Sequence, residues 1–222
     1  MMSFHFVYMG ILLCLHNRRV KALSSDHAGG DTAPAPMNEK QHPMPERRRR
    51  NKPGAQPGIA HDPETKTKPA PGAIRIHCID YGPERVESTR FDDVDAFLSS
   101  PRPDWSAVRW IDVDGLHAYV IHRIAETFRF HPLAAEDALH FPQRPKREAY
   151  DHHLFLVTRM IQVEKDALVT EQISFFLMKG LLVTFQEAPG DVWEPIRERL
   201  KVQGSRLRES GADYLVYTLL DA

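Results

Sequence analysis

The stretch HPLAAEDALHFPQRPK (His131–Lys146) sets two adjacent carboxylates, Glu136 and Asp137, on what reads as a short helix. His131 followed by Pro132 suits a helix start, with proline at the first helical position. Leu133, Ala134, Ala138 and Leu139 can supply packed faces, which leaves the two acids projecting elsewhere. Neighbours on a helix are about 100° apart around the axis, so the pair cannot chelate one ion together. Both acids lie toward the helix C-terminus, where the negative end of the macrodipole disfavours carboxylates. A bound cation would relieve that, and so would an arginine; Arg144 is close in sequence and is the plainer alternative.

A second polar feature lies at the end of the chain. Asp213, Tyr217 and Asp221 recur every four residues along GADYLVYTLLDA and form one stripe on an otherwise apolar helix. Spacing alone favours a solvent-facing stripe over a face that meets another subunit or a metal. Other chemistry can be set aside. There is no G-x-x-x-x-G-K phosphate loop, no G-x-S-x-G elbow and no H-E-x-x-H pair. DVDG (Asp112–Gly115) fails as a calcium loop, because Arg123 stands where the bidentate acid belongs and His117 where the glycine belongs. His152 and His153 are strand neighbours that point to opposite faces, so they are expected to be satisfied or exposed rather than metal ligands. No nucleophile or base constellation accompanies the acids, which speaks against a metal-dependent hydrolase and against an enzyme in general.

The elements that must hold these residues can be read from periodicity. IRIHCI (Ile74–Ile79) alternates as a strand, DDVDAFLSS reads as a short helix, and VRWIDV as a strand closed by the Asp114-Gly115 turn. Ile121, Ile124, Ala125 and Phe128 fall at i, i+3, i+4 and i+7 of an amphipathic helix. HLFLVTRMIQVEK and EQISFFLM are β-rich, and Gly180 allows a tight hairpin into LLVTFQE. Asp191 with Glu194 resembles a capping box, and Trp193, Ile196 and Leu200 form the apolar stripe of the helix that follows. Helices before, between and after strands, with a hairpin in the middle, indicate an α/β domain on a mixed parallel and antiparallel sheet.

Composition sets the boundaries. The chain has 222 residues, is 42% hydrophobic and carries a formal net charge of -1, enough for one core and too neutral for a dedicated nucleic-acid binder. Its two cysteines, Cys14 and Cys78, make no metal spacing and no disulfide framework, so a reducing compartment is the simpler reading. Residues 1–23 hold an apolar run from Phe4 to Leu15, shorter than the about 20 residues a membrane span needs. No basic residue precedes it, which favours an extended start over a signal or anchor. Residues 24–72 hold more than half of the 17 prolines and almost no aliphatics, and are expected to be disordered. The run RRRRNK (Arg47–Lys52) lies inside that segment and reads as a solvated linker. Residues 73–222 are the folded domain. The last helix stops without a glycine, proline or basic cap, so the sequence is expected to be a fragment.

HPLAAEDALHFPQRPK, YDHHLFLVTRM, TEQISFFLMKGLLVTFQEAPGDVWEPIRERL and GADYLVYTLLDA, in this order and spacing, resemble the CorA family of magnesium and cobalt transporters. The resemblance covers most of Ile74 to Ala222 and leaves out the first 73 residues. It implies an N-terminal cytoplasmic domain built as an α/β/α sandwich, whose C-terminal helix leads into a stalk. Two membrane helices and a Gly-Met-Asn pore loop would follow in a homopentamer of the cell (inner) membrane. Neither stalk nor loop is present in these 222 residues. By resemblance, Asp137 matches the acid that binds a regulatory Mg2+, with Co2+ as an alternative ion, opposite an acid on a neighbouring stalk. Glu136 and Asp221 match residues near a second, weaker site. The implied function is cation sensing that controls gating: the ion screens repulsion between subunits, and its loss loosens the ring. Ala135 and His140 depart from the leucine and asparagine common in the family. A zinc-transporting relative and a soluble interaction module without metal response are the alternatives.

Overall fold

Near-continuous apolar runs dictate strands that bury both faces, and such runs lie at the centre of the sheet. In β1 (Arg75–Tyr81), Ile76 and Cys78 face one layer while Ile79 and Tyr81 face the other. The same two-sidedness holds in β3 (Val108–Asp114), where Trp110 and Ile111 are both fully buried on opposite faces. Runs that are apolar on both sides are what a sheet covered by helices on both faces requires. The computed structural model describes residues 58–164, 167–187 and 193–222. The short apolar run near the N-terminus, RRRRNK and Asp191 lie outside the described residues.

Among the described residues seven strands form one sheet in the order β2-β1-β3-β7-β6-β5-β4. The remaining strands are β2 (Val86–Phe91), β4 (Lys146–Ala149), β5 (Leu154–Glu164), β6 (Ala167–Met178) and β7 (Leu181–Gln186). Only β3 and β7 pair in parallel, Ile111 opposite Val183; every other pair is antiparallel. Gly180 closes the β6–β7 hairpin at φ 66°, and a Cβ there would come within 2.8 Å of the Ala107 carbonyl oxygen. Only glycine meets both demands.

One face carries α1 (Val94–Leu98), α2 (Ala118–Phe128) and α3 (Pro132–Leu139). Ile121, Ile124 and Ala125 pack there with Val113, Phe155, Phe176 and Phe185. The other face carries α4 (Glu194–Lys201), α5 (Arg206–Glu209) and α6 (Ala212–Leu220). Trp193, Ile196 and Leu200 lie there with Trp110, Phe175, Leu215 and Leu219, the stripe expected from spacing. The result is a mixed-sheet α/β/α sandwich.

Short 3-10 turns at Ile59–His61 and Pro63–Lys66 precede the sheet. Ile59 is buried among the side chains of α2 and α3, and Lys68 lies 2.7 Å from Asp95 of α1. The packed region therefore reaches back to Gly58, past the boundary that proline content suggested. Within residues 58–72 this contact is made by the buried Ile59 and Thr65, the Gly58 amide bond to Glu136 and the Lys68–Asp95 ion pair.

Candidate functional site

Helix α3 begins where His131 caps it, its Nδ1 accepting from the Leu133 amide, and Pro132 occupies the first helical position. Ala134, Ala135, Ala138 and Leu139 are all buried, whereas Leu133 is 44% exposed. The inward stripe thus pairs 134 with 138 and 135 with 139, and the small side chain of Ala135 permits close packing where Leu133 was expected. Glu136 and Asp137 sit half-buried on the flank of that stripe.

The two acids do go separate ways. Glu136 Oε2 accepts from the Gly58 amide at 2.6 Å, pinning the incoming chain onto α3. Gly58 sits at φ 107°, with Pro132 Cβ 3.2 Å from where its own Cβ would be. Asp137 Oδ2 instead accepts from Lys146 Nζ at 2.6 Å. Lys146, not the exposed Arg144, is therefore the cation that meets Asp137. The Asp137 carbonyl accepts from Gln172 Nε2 at 3.4 Å, while Gln172 Oε1 takes the Gln143 amide at 2.7 Å. Gln143 in turn donates to the His140 carbonyl. Segments far apart in sequence, EDAL, QRPK and EQIS, so close on one another at the helix end.

Sequence reasoning missed the strand that completes this corner. β4 is short and at the sheet edge, with Lys146 and Glu148 half-buried and Arg147 and Ala149 exposed. Its period of two, Lys146, Glu148, Tyr150, was the available signal. Lys146 Nζ also donates to Glu148 Oε1 at 2.9 Å, and the Tyr150 hydroxyl donates to Glu148 Oε2 at 2.7 Å. Burial works against the Lys146 ammonium, but Asp137 and Glu148 together outweigh it and hold its pKa above the ordinary value. Hydrogen bonds from Lys146 and then Tyr150 hold Glu148 below the usual carboxylate range.

Behind the charged corner runs an aromatic stack. His131 lies on Tyr150 with ring centroids 4.4 Å apart, Tyr150 on His153 at 4.9 Å, and His153 is flanked by Phe130 and Phe176. His152 is exposed, as expected, but His153 is 5% exposed and neither ring nitrogen has a hydrogen-bond partner. It is neither satisfied nor exposed: ring stacking, not hydrogen bonding, holds it. Burial, then His131 and His152, push its pKa below the ordinary 6.5. The neutral form is favoured in the fold, so this residue's full contribution is present above about pH 6.5 and is lost as pH falls toward the depressed value. Wild-type thermal stability should therefore fall more steeply than that of His153→Phe between pH 7.5 and 5.5, by at most about 1.4 kcal/mol per pH unit. Parallel profiles would show that His153 does not titrate with folding.

Asp221 is exposed and follows α6, which lies on the opposite face of the sheet from α3. In α6 itself Asp213 is exposed and Tyr217 is 49% exposed. Among the described residues no group of three or more His, Cys, Asp or Glu could hold a metal. Asp137 with Glu148 supplies hard oxygen donors that fit Mg2+, which keeps several of its waters, but they make only part of a coordination shell. Cys78 is a free, buried thiol whose pKa burial pushes up to about 12, so it contributes no reactive thiolate.

A seven-stranded sheet with helices on both faces and an acid corner at the end of α3 is the frame in which the likenesses to known proteins fall. The description "CorA-like Mg2+ transporter protein" matches residues 105–222. The chain belongs to this family, which is one of transporters and not of enzymes. It is 38% identical over 152 residues to the cobalt/magnesium transport protein CorA of Thermotoga maritima, covering 67% of this chain and 43% of that protein. It is 33% identical over 114 residues to the putative metal ion transporter YfjQ of Bacillus subtilis, covering 50% and 34%. The full-length CmaX protein shares the fold at a TM-score of 0.51 and 11% identity, over 68% of this chain and 45% of that one. The chain thus spans less than half the length of the curated relatives it matches. No helix among the described residues is long and apolar enough to cross a membrane.

Proposed function

We propose that this chain is the cytosolic divalent-cation-sensing domain of a CorA-type Mg2+/Co2+ transporter, and that Asp137 is the acid through which a regulatory Mg2+ controls gating. The observation that carries this reading is the Asp137 carboxylate, half-buried at the C-terminal end of α3, where Lys146 already stands opposite it as a cation. A carboxylate at the negative end of a helix needs a cation opposite it. One acid per subunit is half a site. The other half would come from a neighbouring copy in a homopentamer, anchored by membrane segments outside these 222 residues with this domain on the cytoplasmic side. Glu136 and Asp221 are proposed as acids near a weaker second site, Glu136 also serving to hold Gly58. The relative named as a cobalt/magnesium transport protein supports this choice of ions.

The test uses the full-length protein. Mg2+ should protect it from proteolysis, and Asp137→Ala should move the midpoint of protection to at least about tenfold higher Mg2+, since ligand charge count sets affinity in such sites. An unmoved protection curve would rule Asp137 out.

A further inference from the structure

We propose that Lys146 is a tethered counter-ion that competes with the divalent cation for Asp137, and that Glu148 becomes the second carboxylate of the site when the ammonium swings away. This rests on the reading of Asp137 given above and concerns what sets the affinity there.

The geometry is that of a cation shared by two carboxylates. Lys146 Nζ stands 2.6 Å from Asp137 Oδ2 and 2.9 Å from Glu148 Oε1, bridging α3 to the edge strand β4. Its side chain and that of Asp137 are each 27% exposed, so the position is sheltered yet open to exchange with solvent ions. The Tyr150 hydroxyl holds the other Glu148 oxygen at 2.7 Å, which keeps that carboxylate turned toward the shared space. The ammonium also lies 5.6 Å from the centre of the Phe155 ring, a favourable cation–π distance.

Two carboxylates near enough to share one ammonium are near enough to share one hydrated divalent ion. Lysine is a compact charge on a flexible four-carbon stem, so it can leave without moving the backbone. While it stays, it offsets one of the two negative charges, and an incoming ion must displace a charge-assisted hydrogen bond at each carboxylate. Once it is gone, two like charges face one space, which raises affinity for a doubly charged ion over a single one. Lys146 therefore sets the concentration at which the site fills: the ammonium holds the corner at low divalent ion, and the ion takes it at high.

The experiment measures Mn2+ binding to the full-length protein by the loss of the free-ion electron paramagnetic resonance signal. The variants are Lys146→Met, Lys146→Arg, Asp137→Asn and Lys146→Met with Asp137→Asn; Lys146→Gln replaces Lys146→Met if the latter does not fold. Lys146→Met should bind Mn2+ about tenfold more tightly than wild type, the scale of one charge-assisted hydrogen bond. Lys146→Arg, which keeps the charge, should not tighten binding, and adding Asp137→Asn to Lys146→Met should abolish the gain. If Lys146→Met binds no better than wild type while Asp137→Asn still weakens binding, the counter-ion role is overturned and Asp137 stands. If Asp137→Asn changes nothing in either background, the reading of Asp137 falls as well.

Discussion

Arg197→Met should cost about 3–5 kcal/mol of folding free energy, because it strips the partner from a buried charge. Arg197 of α4 is 6% exposed and Asp112 of β3 is 1% exposed; the guanidinium NH2 donates to Asp112 Oδ2. Asp112 Oδ1 meanwhile accepts from Thr184 Oγ1 at 2.7 Å and Gln186 Nε2 at 2.9 Å, both on β7. The guanidinium also lies over the Trp110 ring, 5.2 Å from its centre. One residue thus latches the outer helix to the single parallel strand pair at the middle of the sheet. Burial pushes the Asp112 carboxyl up, while Arg197 first, then Thr184 and Gln186, pull it down. Burial already prevails and holds the Asp112 pKa above the ordinary value; without Arg197 the largest opposing influence is lost and it rises further. A group with a raised folded pKa stabilises most at low pH and loses that contribution as pH rises. The variant should therefore be more impaired at pH 7.5 than at pH 5, in denaturant unfolding. A loss below about 1 kcal/mol, the value of an exposed pair, would contradict a buried latch.

Phe176→Ala should lower the melting temperature on the order of 10 °C, from a loss of about 3–5 kcal/mol. Phe176 is fully buried and stacks face to face on Phe130, with centroids 4.0 Å apart and planes 6° apart. Phe155 lies 4.7 Å away, and Phe185 meets it edge-on at 5.8 Å. His153 closes the same cluster, so removing the ring opens a cavity beside an already unpartnered imidazole. Phe176→Leu keeps most of the volume and should cost much less. Equal losses in the two variants would mean the ring contacts contribute little beyond bulk. Because the cluster lies directly beneath Tyr150, the alanine variant should also loosen the orientation of Glu148.

Which of these features the sequence discloses follows from the range of the interactions involved. Ile121, Ile124 and Ala125, or Trp193, Ile196 and Leu200, announce their helices because an amphipathic period is local. The β6–β7 hairpin is legible in Gly180 for the same reason. β4 and β2 are not, since edge strands with one or both faces wet carry charged residues and no apolar run. Within the candidate site, Glu136 and Asp137 stand out by their type and position, but their partners do not. Gly58 is 78 residues from Glu136, and the choice of Lys146 over Arg144 depends on where an unrecognised strand begins: Lys146 is its first residue, and exposed Arg144 lies before it. The Asp112–Arg197 latch spans 85 residues and looks, in sequence, like one charge in a turn and another on a helix. Ile59 shows the converse: residues 58–72 read as unfolded by composition, yet the buried Ile59 and Thr65 and a bond from Gly58 to Glu136 hold them on the domain.

The proposal that Asp137 receives the regulatory ion is tested most directly by locating the ion itself. Crystals of the full-length protein soaked in Mn2+, with diffraction recorded above and below the manganese absorption edge, should show an anomalous peak within coordination distance of the Asp137 carboxylate. The Lys146 side chain should be turned away from it. Strong anomalous peaks elsewhere in the same crystals, with Lys146 still seated between Asp137 and Glu148, would contradict the assignment.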